Sequence, residues 1–212
     1  MLRPLKYIIL VGCMLQATVS PAQGWQLPKL KTGDLLFQDL DCGPLCDAIE
    51  AVTEGINKNH FSHIGLVYIR HDSAYIIEAI GKNVHLTSLE TFIKRSNHVI
   101  YTGRVKPEYS HLIKGAVDFA LQQCGTAYDN AFIYNNGKYY CSELVYDAFK
   151  KANGGVPFFE LQSMTFKMPG KNDYFPAWID YYNKLGIPIP EGERGINPGG
   201  ISRSDKLDIV YK

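Results

Sequence analysis

The chain has 212 residues, of which 46% are hydrophobic and 12% aromatic, so it can form a domain with a substantial core and is not a disordered protein. Its 22 basic and 21 acidic residues nearly cancel and form no Lys/Arg-rich run. This composition lacks the strong positive field on which nucleic-acid binding depends, and it excludes a nucleic-acid partner.

The N-terminal segment is typical of an export signal. Two basic residues precede an apolar run over residues 7–15, and small residues at 20–22 suit cleavage by signal peptidase before Gln23. The apolar run is too short to remain as a membrane span. We therefore expect residues 1–22 to be a signal peptide and residues 23–212 to be a single exported domain of the periplasm or cell envelope, with no transmembrane span.

A second processing site is an alternative to this cleavage. The stretch Leu10-Val11-Gly12-Cys13 resembles the cleavage box of a bacterial lipoprotein, and processing there would leave a lipidated Cys13. The apolar stretch ahead of Cys13 is very short, which favours cleavage before Gln23 instead.

The first predicted elements are a short strand and a helix. Gly33-Asp34 forms a turn that enters the apolar Leu35-Leu36-Phe37. A helix of about three turns should follow, because apolar residues recur at helical spacing at Leu45, Ile49, Val52 and Ile56. In an oxidising compartment, Cys42 and Cys46 are near enough to form a disulfide if the turn between them is tight. Four mature cysteines do not determine their own pairing.

Two neighbouring strands carry the first residues of chemical interest. Residues 64–70 and 74–80 are apolar and are joined by the turn-like Arg70-His71-Asp72-Ser73, which predicts an antiparallel hairpin. His63 opens the first strand, and Glu78 is a carboxylate in the otherwise apolar second strand. Facing residues of adjacent strands lie within hydrogen-bonding distance, so Glu78 can orient the His63 imidazole as a general base.

Each of these two residues has an alternative interpretation. Glu78 could simply face water, although its apolar neighbours favour burial. His63 could form half of a metal site with His60, but no third ligand at a recognised spacing accompanies the pair, so we expect no metal.

The middle of the chain alternates short helices and strands. A short helix over 88–95 begins with a serine that suits the N-cap, and strand character resumes over 99–105. Pro107 then opens a longer helix with one apolar stripe, which Gly125 ends. We expect Cys124 to lie on the buried side of that helix.

The most informative stretch is residues 139–149, because it places Cys141 in the first turn of an amphipathic helix. The free N–H groups and the positive end of the helix dipole stabilise a thiolate there, so Cys141 is a candidate nucleophile. The alternatives are that Cys141 is a structural cysteine, or that Cys42 or Cys46, which also precede a helix, is the nucleophile.

The C-terminal part differs in composition. Residues 157–198 are rich in proline and aromatic residues, which indicates a packed irregular cap with one helix near 176–185. Taken together, the elements predict an α+β architecture in which helices pack on a small antiparallel sheet.

In combination, these motifs resemble the papain-like amidases of the NlpC type. The motifs Gly33-Asp34, His63-Ile64-Gly65 and Glu78-Ala79 keep the order that they have in that family, but the cysteine helix follows them instead of preceding them. This order is a circular permutation and resembles the YiiX/YebB-like branch over about residues 31–150. Under this resemblance, Cys42 and Cys46 are poor nucleophiles, because the Gly-Asp strand precedes them.

The resemblance implies roles for four residues. Cys141 would be the nucleophile, His63 its base, Glu78 the third member of the triad, and Tyr128 an active-site tyrosine near the oxyanion. From the residues alone, an ordinary loop tyrosine at position 128 is equally consistent.

The resemblance also implies an activity. His63 would deprotonate Cys141, the thiolate would attack an amide or ester carbonyl, and an acyl-enzyme would form without any cofactor. The substrate would be a cell-wall peptide or a lipid-like acyl group. A thiol acyltransferase, a lipase-like enzyme and a non-catalytic envelope protein that binds a ligand in the same cleft are the alternatives.

Overall fold

An antiparallel sheet lies at the centre of the computed structural model, which describes residues 27–210. The strands, in chain order, are β1 Leu35–Gln38, β2 His63–Arg70, β3 Ser73–Ile80, β4 Asn83–Ser88, β5 Tyr101–Val105, β6 Gln162–Ser163, β7 Arg194–Gly195 and β8 Leu207–Val210. Six of them form one sheet in the order β4-β3-β2-β1-β5-β8, while β6 and β7 pair separately. Both predicted processing sites, Cys13 and the bond before Gln23, lie outside the described residues.

Six α-helices accompany the strands in this part of the chain. They are α1 Pro44–Glu50, α2 Leu89–Ile93, α3 Ile113–Gln122, α4 Cys141–Ala152, α5 Pro176–Leu185 and α6 Pro198–Ser202. The helices α3 and α4 join the larger core on one side of the sheet, and Phe92 of α2 belongs to a second buried cluster with Leu36, Val67 and Ile76. The α+β prediction is therefore confirmed. None of the helices within residues 27–210 has the length and apolar character needed to cross a membrane.

The predicted hairpin forms β2 and β3. The two strands pair antiparallel with Leu66 opposite Ile77, and their two-residue connection places His71 and Asp72 at φ values of 46° and 60°. Two successive residues with positive φ define a type I′ turn, whose twist matches that of the two strands it joins. The strand β4, which the sequence analysis did not predict, pairs with β3 on its far side.

Two helix predictions need correction. The helix predicted to run to Ile56 ends at Glu50, and the Ile56 N–H instead donates to Ser202 Oγ at 3.0 Å, a tertiary contact that replaces a helical one. The helix α3 ends at Gln122, so Cys124 lies exposed in the turn that follows and not on a buried face.

Two of the other predicted helices, α2 and α5, are confirmed in position. Ser88 caps α2, because its side chain accepts a hydrogen bond from the Thr91 N–H at 3.2 Å. The predicted helix near 176–185 is α5, which ends at Gly186 in the left-handed conformation, with φ of 69°. Trp178 and Tyr182 of α5 form a third buried cluster with Phe166 and with Ala48 of α1, so the aromatic segment packs onto α1.

Candidate active site

Helix α4 places Cys141 at the entrance of the candidate site. The helix begins at Cys141, its N-cap Tyr140 is extended, and within the described residues no side chain caps this end. Leu144 and Phe149 of the same helix are fully buried, which anchors it to the core. The N–H groups of the first turn, including that of Cys141, therefore remain free to bind a negatively charged atom.

His63 is the first residue of β2 and is 3% exposed. Its Nε2–H donates to Glu78 Oε2 at 2.6 Å, which leaves Nδ1 for the Cys141 thiol. Burial lowers the pKa of His63, but hydrogen bonds to Cys141 and Glu78 outweigh this effect and raise that pKa to about 9. The arrangement therefore favours a proton on the imidazole when Cys141 is a thiolate.

Gly65 makes room for the contact between strands β2 and β3. It follows His63 by two residues, so both project to the same face of the sheet. A Cβ atom at position 65 would overlap Ile76 Cγ2 and lie 3.6 Å from Glu78 Cβ. The missing Cβ lets β3 approach, so Glu78 reaches diagonally past Gly65 to His63.

Arg95 and Thr87 complete the surroundings of Glu78. Arg95 Nη1 donates to Glu78 Oε2 at 2.7 Å, its Nη2 donates to Glu78 Oε1, and Nη2 also lies 3.3 Å from Thr87 Oγ1. Burial alone would raise the pKa of Glu78, but the hydrogen bonds from Arg95 and His63 lower it to about 2. Glu78 is therefore ionised over the whole physiological pH range.

An apolar cavity of about 130 Å³ opens beside Cys141. Its walls come from distant parts of the chain, among them Ile49 of α1, Phe166, Trp178 of α5 and the loop residue Tyr128. Tyr140 and Ile196 also line the cavity, and the Tyr140 hydroxyl accepts a hydrogen bond from the Ile196 N–H at 3.2 Å. The candidate nucleophile thus faces a pocket that suits an apolar group.

Tyr128 lies in this cavity wall, as expected from the resemblance, and its ring packs edge-on against Phe132. Burial, and to a smaller degree the charge of a Cys141 thiolate, hold the pKa of Tyr128 well above its usual value. The hydroxyl therefore stays protonated and able to donate a hydrogen bond near Cys141.

The structure removes the competing cysteines as nucleophiles. Cys42 and Cys46 form a disulfide bond, which leaves neither thiol free. Within residues 27–210 the free thiols belong to Cys124, which is exposed and lies in a turn, and to Cys141. Cys141 is the one in contact with an imidazole.

One group in the described part of the chain brings potential metal ligands together. Donor atoms of Asp39, Asp41 and His98 lie within 4.8 Å of one another, and two of these residues are exposed. His98 Nε2 contacts Asp41 Oδ1 at 3.1 Å, and this hydrogen bond raises the pKa of His98. The contact pairs an acidic with a basic side chain, and exposed acidic groups of this kind are common without a metal ion.

Comparisons with known proteins show the family to which the chain belongs. Residues 29–211 match the family model described as "Permuted papain-like amidase enzyme, YaeF/YiiX, C92 family". The chain belongs to this family of permuted papain-like amidases. The Escherichia coli (strain K12) protein YiiX, which is described as uncharacterized, is 29% identical over 208 residues, which covers 91% of this chain and 90% of YiiX.

A solved structure shows the same fold. The crystal structure of the metalloprotein YiiX from Escherichia coli O157:H7 superposes with a TM-score of 0.70 at 25% identity, over 86% of this chain and 97% of that one. Family membership confirms the papain-like fold in permuted order and identifies the protein as a papain-like cysteine amidase or peptidase.

The structure brings together the four residues that the sequence analysis selected. Cys141, His63 and Glu78 form a continuous chain of contacts, and Tyr128 lines the adjoining cavity. Their catalytic roles stay predictions. No motif pointed to Arg95, although a carboxylate in an apolar strand requires a compensating cation nearby.

Proposed function

We propose that this amidase is an exported cysteine hydrolase, which cleaves an amide or ester through an acyl-enzyme on Cys141. The observation that carries the proposal is the buried contact chain from Cys141 through His63 to Glu78, at the mouth of an apolar cavity. A nucleophile, a base and an orienting carboxylate within hydrogen-bonding reach are the parts that acyl transfer requires.

The reaction follows from the positions of these groups. His63 Nδ1 takes the thiol proton of Cys141, and the sulfur attacks the carbonyl carbon. The oxyanion accepts hydrogen bonds from the Cys141 N–H and the Tyr128 hydroxyl. When the carbonyl re-forms, the bond to the leaving amine or alcohol breaks, and His63 returns the proton to it.

Deacylation reverses these roles. His63 takes a proton from a water molecule, whose oxygen attacks the thioester carbon, and the carboxylic acid leaves as His63 reprotonates the Cys141 sulfur. An alcohol or amine in place of water would give acyl transfer with the same groups. The acceptor, not the catalytic residues, separates hydrolysis from transfer.

The cavity supports a substrate whose acyl part carries an apolar group. Apolar side chains, among them Phe166 and Trp178, dominate its wall. A cavity of roughly 150 Å³ admits a benzene-sized group, which is comparable with the volume of about 130 Å³ found here. A short acyl chain, or an apolar side chain of a cell-wall peptide, therefore fits better than a large polar group.

We expect hydrolysis of p-nitrophenyl esters to become faster as the acyl chain grows from acetyl to about six carbons, because the chain fills the apolar cavity. Steady-state kinetics, with mass spectrometry of the acyl adduct on Cys141, measures this. The matched variant is Ile49→Trp, which narrows the cavity. It should slow hydrolysis of the hexanoyl ester more than hydrolysis of the acetyl ester. Equal rates for all chain lengths would contradict the apolar substrate.

The same experiment tests the alternative that the protein binds a ligand in this cleft without catalysing a reaction. A protein that only binds its ligand has no need of a reactive thiol, whereas an enzyme requires one. A Cys141 that forms no acyl adduct with any ester or peptide amide, and reacts with iodoacetamide no faster than the exposed Cys124, would favour the binding protein.

Export is supported by the N-terminal sequence, with its basic start, short apolar run and small residues before Gln23. We expect mass spectrometry of the protein from its native host to find a mature N-terminus at Gln23. An intact Met1 would contradict export through this signal, and a diacylated Cys13 would show lipoprotein processing in its place.

The relative from Escherichia coli O157:H7 is described as a metalloprotein. In this chain, the residues around the nucleophile do not fit a metal ion. Both oxygens of Glu78 accept hydrogen bonds from Arg95, and Oε2 accepts a further one from His63 Nε2. The guanidinium occupies the position that a cation would take, so no step of the proposed reaction goes through a metal.

A further inference from the structure

We propose that Arg95 is a positioning residue of the catalytic site, which acts through Glu78 to keep the imidazole of His63 in the tautomer that can accept the Cys141 proton. This inference rests on the proposed function. It concerns a residue outside the Cys-His-Glu triad that touches neither the sulfur nor the cavity.

The contact between Arg95 and Glu78 has the geometry of a clamp. The guanidinium binds both carboxylate oxygens, and Glu78 Oε2 is shared between Arg95 Nη1 at 2.7 Å and His63 Nε2 at 2.6 Å. Glu78 is fully buried, whereas the Arg95 side chain is 22% exposed. A two-pronged contact of this kind determines the orientation of the carboxylate as well as its charge.

Arg95 is itself held in place on several sides. It follows α2, and its own N–H donates to the Phe92 carbonyl at 3.3 Å. The guanidinium lies 5.5 Å from the centre of the Phe92 ring and contacts Thr87 Oγ1. The cation therefore reaches Glu78 from a side chain that the neighbouring helix and strand hold in one position.

The charge of Arg95 decides the protonation of Glu78. A fully buried carboxylate without a cation takes up a proton, because burial penalises its charged form. A protonated Glu78 would donate to His63 Nε2, and the ring proton would then sit on Nδ1. Since Nδ1 faces Cys141, the imidazole could no longer accept the thiol proton.

The other groups around Glu78 cannot replace this cation. His85 pairs with Glu78 across β3 and β4, but its Nδ1 contacts the Asn83 carbonyl at 3.0 Å. Thr87 carries no charge, and His63 is the group whose proton is in question. Among the described residues in contact with Glu78, Arg95 is the permanent cation.

The test compares Arg95→Met with the wild-type protein. The measurement is the rate at which iodoacetamide alkylates Cys141 between pH 4 and pH 9, resolved by peptide mass spectrometry, because this reagent needs no knowledge of the substrate. In the wild type, Glu78 stays ionised throughout this range. In Arg95→Met the pKa of Glu78 rises, so the ion pair of His63 and Cys141 is lost as the pH falls through the new value.

The quantity compared is the alkylation rate at pH 5 divided by the rate at pH 8. We expect this ratio to be at least about tenfold lower in Arg95→Met than in the wild type, since each pKa unit corresponds to a factor of ten. Arg95→Lys keeps the charge but has one donor group in place of the fork. It should retain the wild-type pH dependence and lose a few-fold in rate, because Glu78 is held less firmly.

Arg104→Met is the matched control. Arg104 clamps Asp34, a carboxylate that is 2% exposed, at 2.8 Å and 2.7 Å, and neither residue contacts His63. Its loss should lower the unfolding temperature without changing the pH dependence of alkylation. If Arg95→Met behaves as Arg104→Met does, the inference is overturned and Arg95 has only a structural role.

Failure of the proposed function and failure of the positioning role give different results. If wild-type Cys141 reacts no faster than Cys124 at any pH, the proposed function fails, whatever Arg95 does. Should Arg95→Met not fold, Arg95→Lys decides the question, and a wild-type rate at every pH in that variant overturns the positioning role.

Discussion

Cys141→Ala is expected to abolish ester and amide turnover, with a loss of at least about 10⁴-fold, the scale seen when a covalent nucleophile is removed from a catalytic triad. Without the sulfur, no acyl-enzyme can form. The first-turn N–H groups and the Tyr128 hydroxyl could still bind a carbonyl, but binding alone does not cleave it. Steady-state kinetics with the best ester, and mass spectrometry for the acyl adduct, provide the measurement.

The control for this variant is Cys124→Ala, which removes the other free thiol in the described part of the chain. Cys124 lies exposed after α3, so its loss should leave turnover and acylation unchanged. The Cys141→Ala protein should remain folded, because replacing the thiol by a hydrogen atom removes little buried volume. Turnover that survives in Cys141→Ala would show that another group is the nucleophile.

His63→Ala is expected to lower kcat/KM by about 10²–10⁴-fold, which is the usual contribution of a general acid and base and equals about 3–5 kcal/mol of transition-state stabilisation. The imidazole is the group that contacts the thiol, and the same change leaves the Glu78–Arg95 pair in place without its link to Cys141. The measurement is kcat/KM for the same ester across pH.

The pH dependence separates loss of a base from general damage to the site. In wild type, His63 can take the thiol proton at neutral pH. In His63→Ala, no imidazole takes the thiol proton, so the thiolate forms only when the thiol loses its proton directly to solvent. The residual rate should therefore rise as the pH rises, and a profile that still matches wild type would argue against His63 as the base.

Local sequence determined most of the elements that carry the site. The start of α4 at Cys141, the β2–β3 hairpin and the cap at Ser88 depend on residues a few positions apart, so periodicity, capping and turn chemistry suffice to predict them. The order of the motifs along the chain likewise indicated the permuted papain-like fold, because order is a property of the sequence itself.

Tertiary structure decided how these elements meet. Glu78 was predictable from the sequence as a partner of His63, but Arg95 was not, because its contact with Glu78 depends on where the turn after α2 places the guanidinium. The same limitation applies to the end of α1, where the Ile56 N–H binds Ser202, 146 positions away.

The cavity is the clearest case of a feature that only the folded chain has. Its wall combines Ile49, Tyr128, Phe166 and Trp178, which lie on separate elements and share no motif. An aromatic segment that packs onto α1 as core and one that lines a binding pocket have the same composition. Distance between side chains distinguishes them, and that distance arises only when non-local packing brings α5, α1 and the start of α4 together.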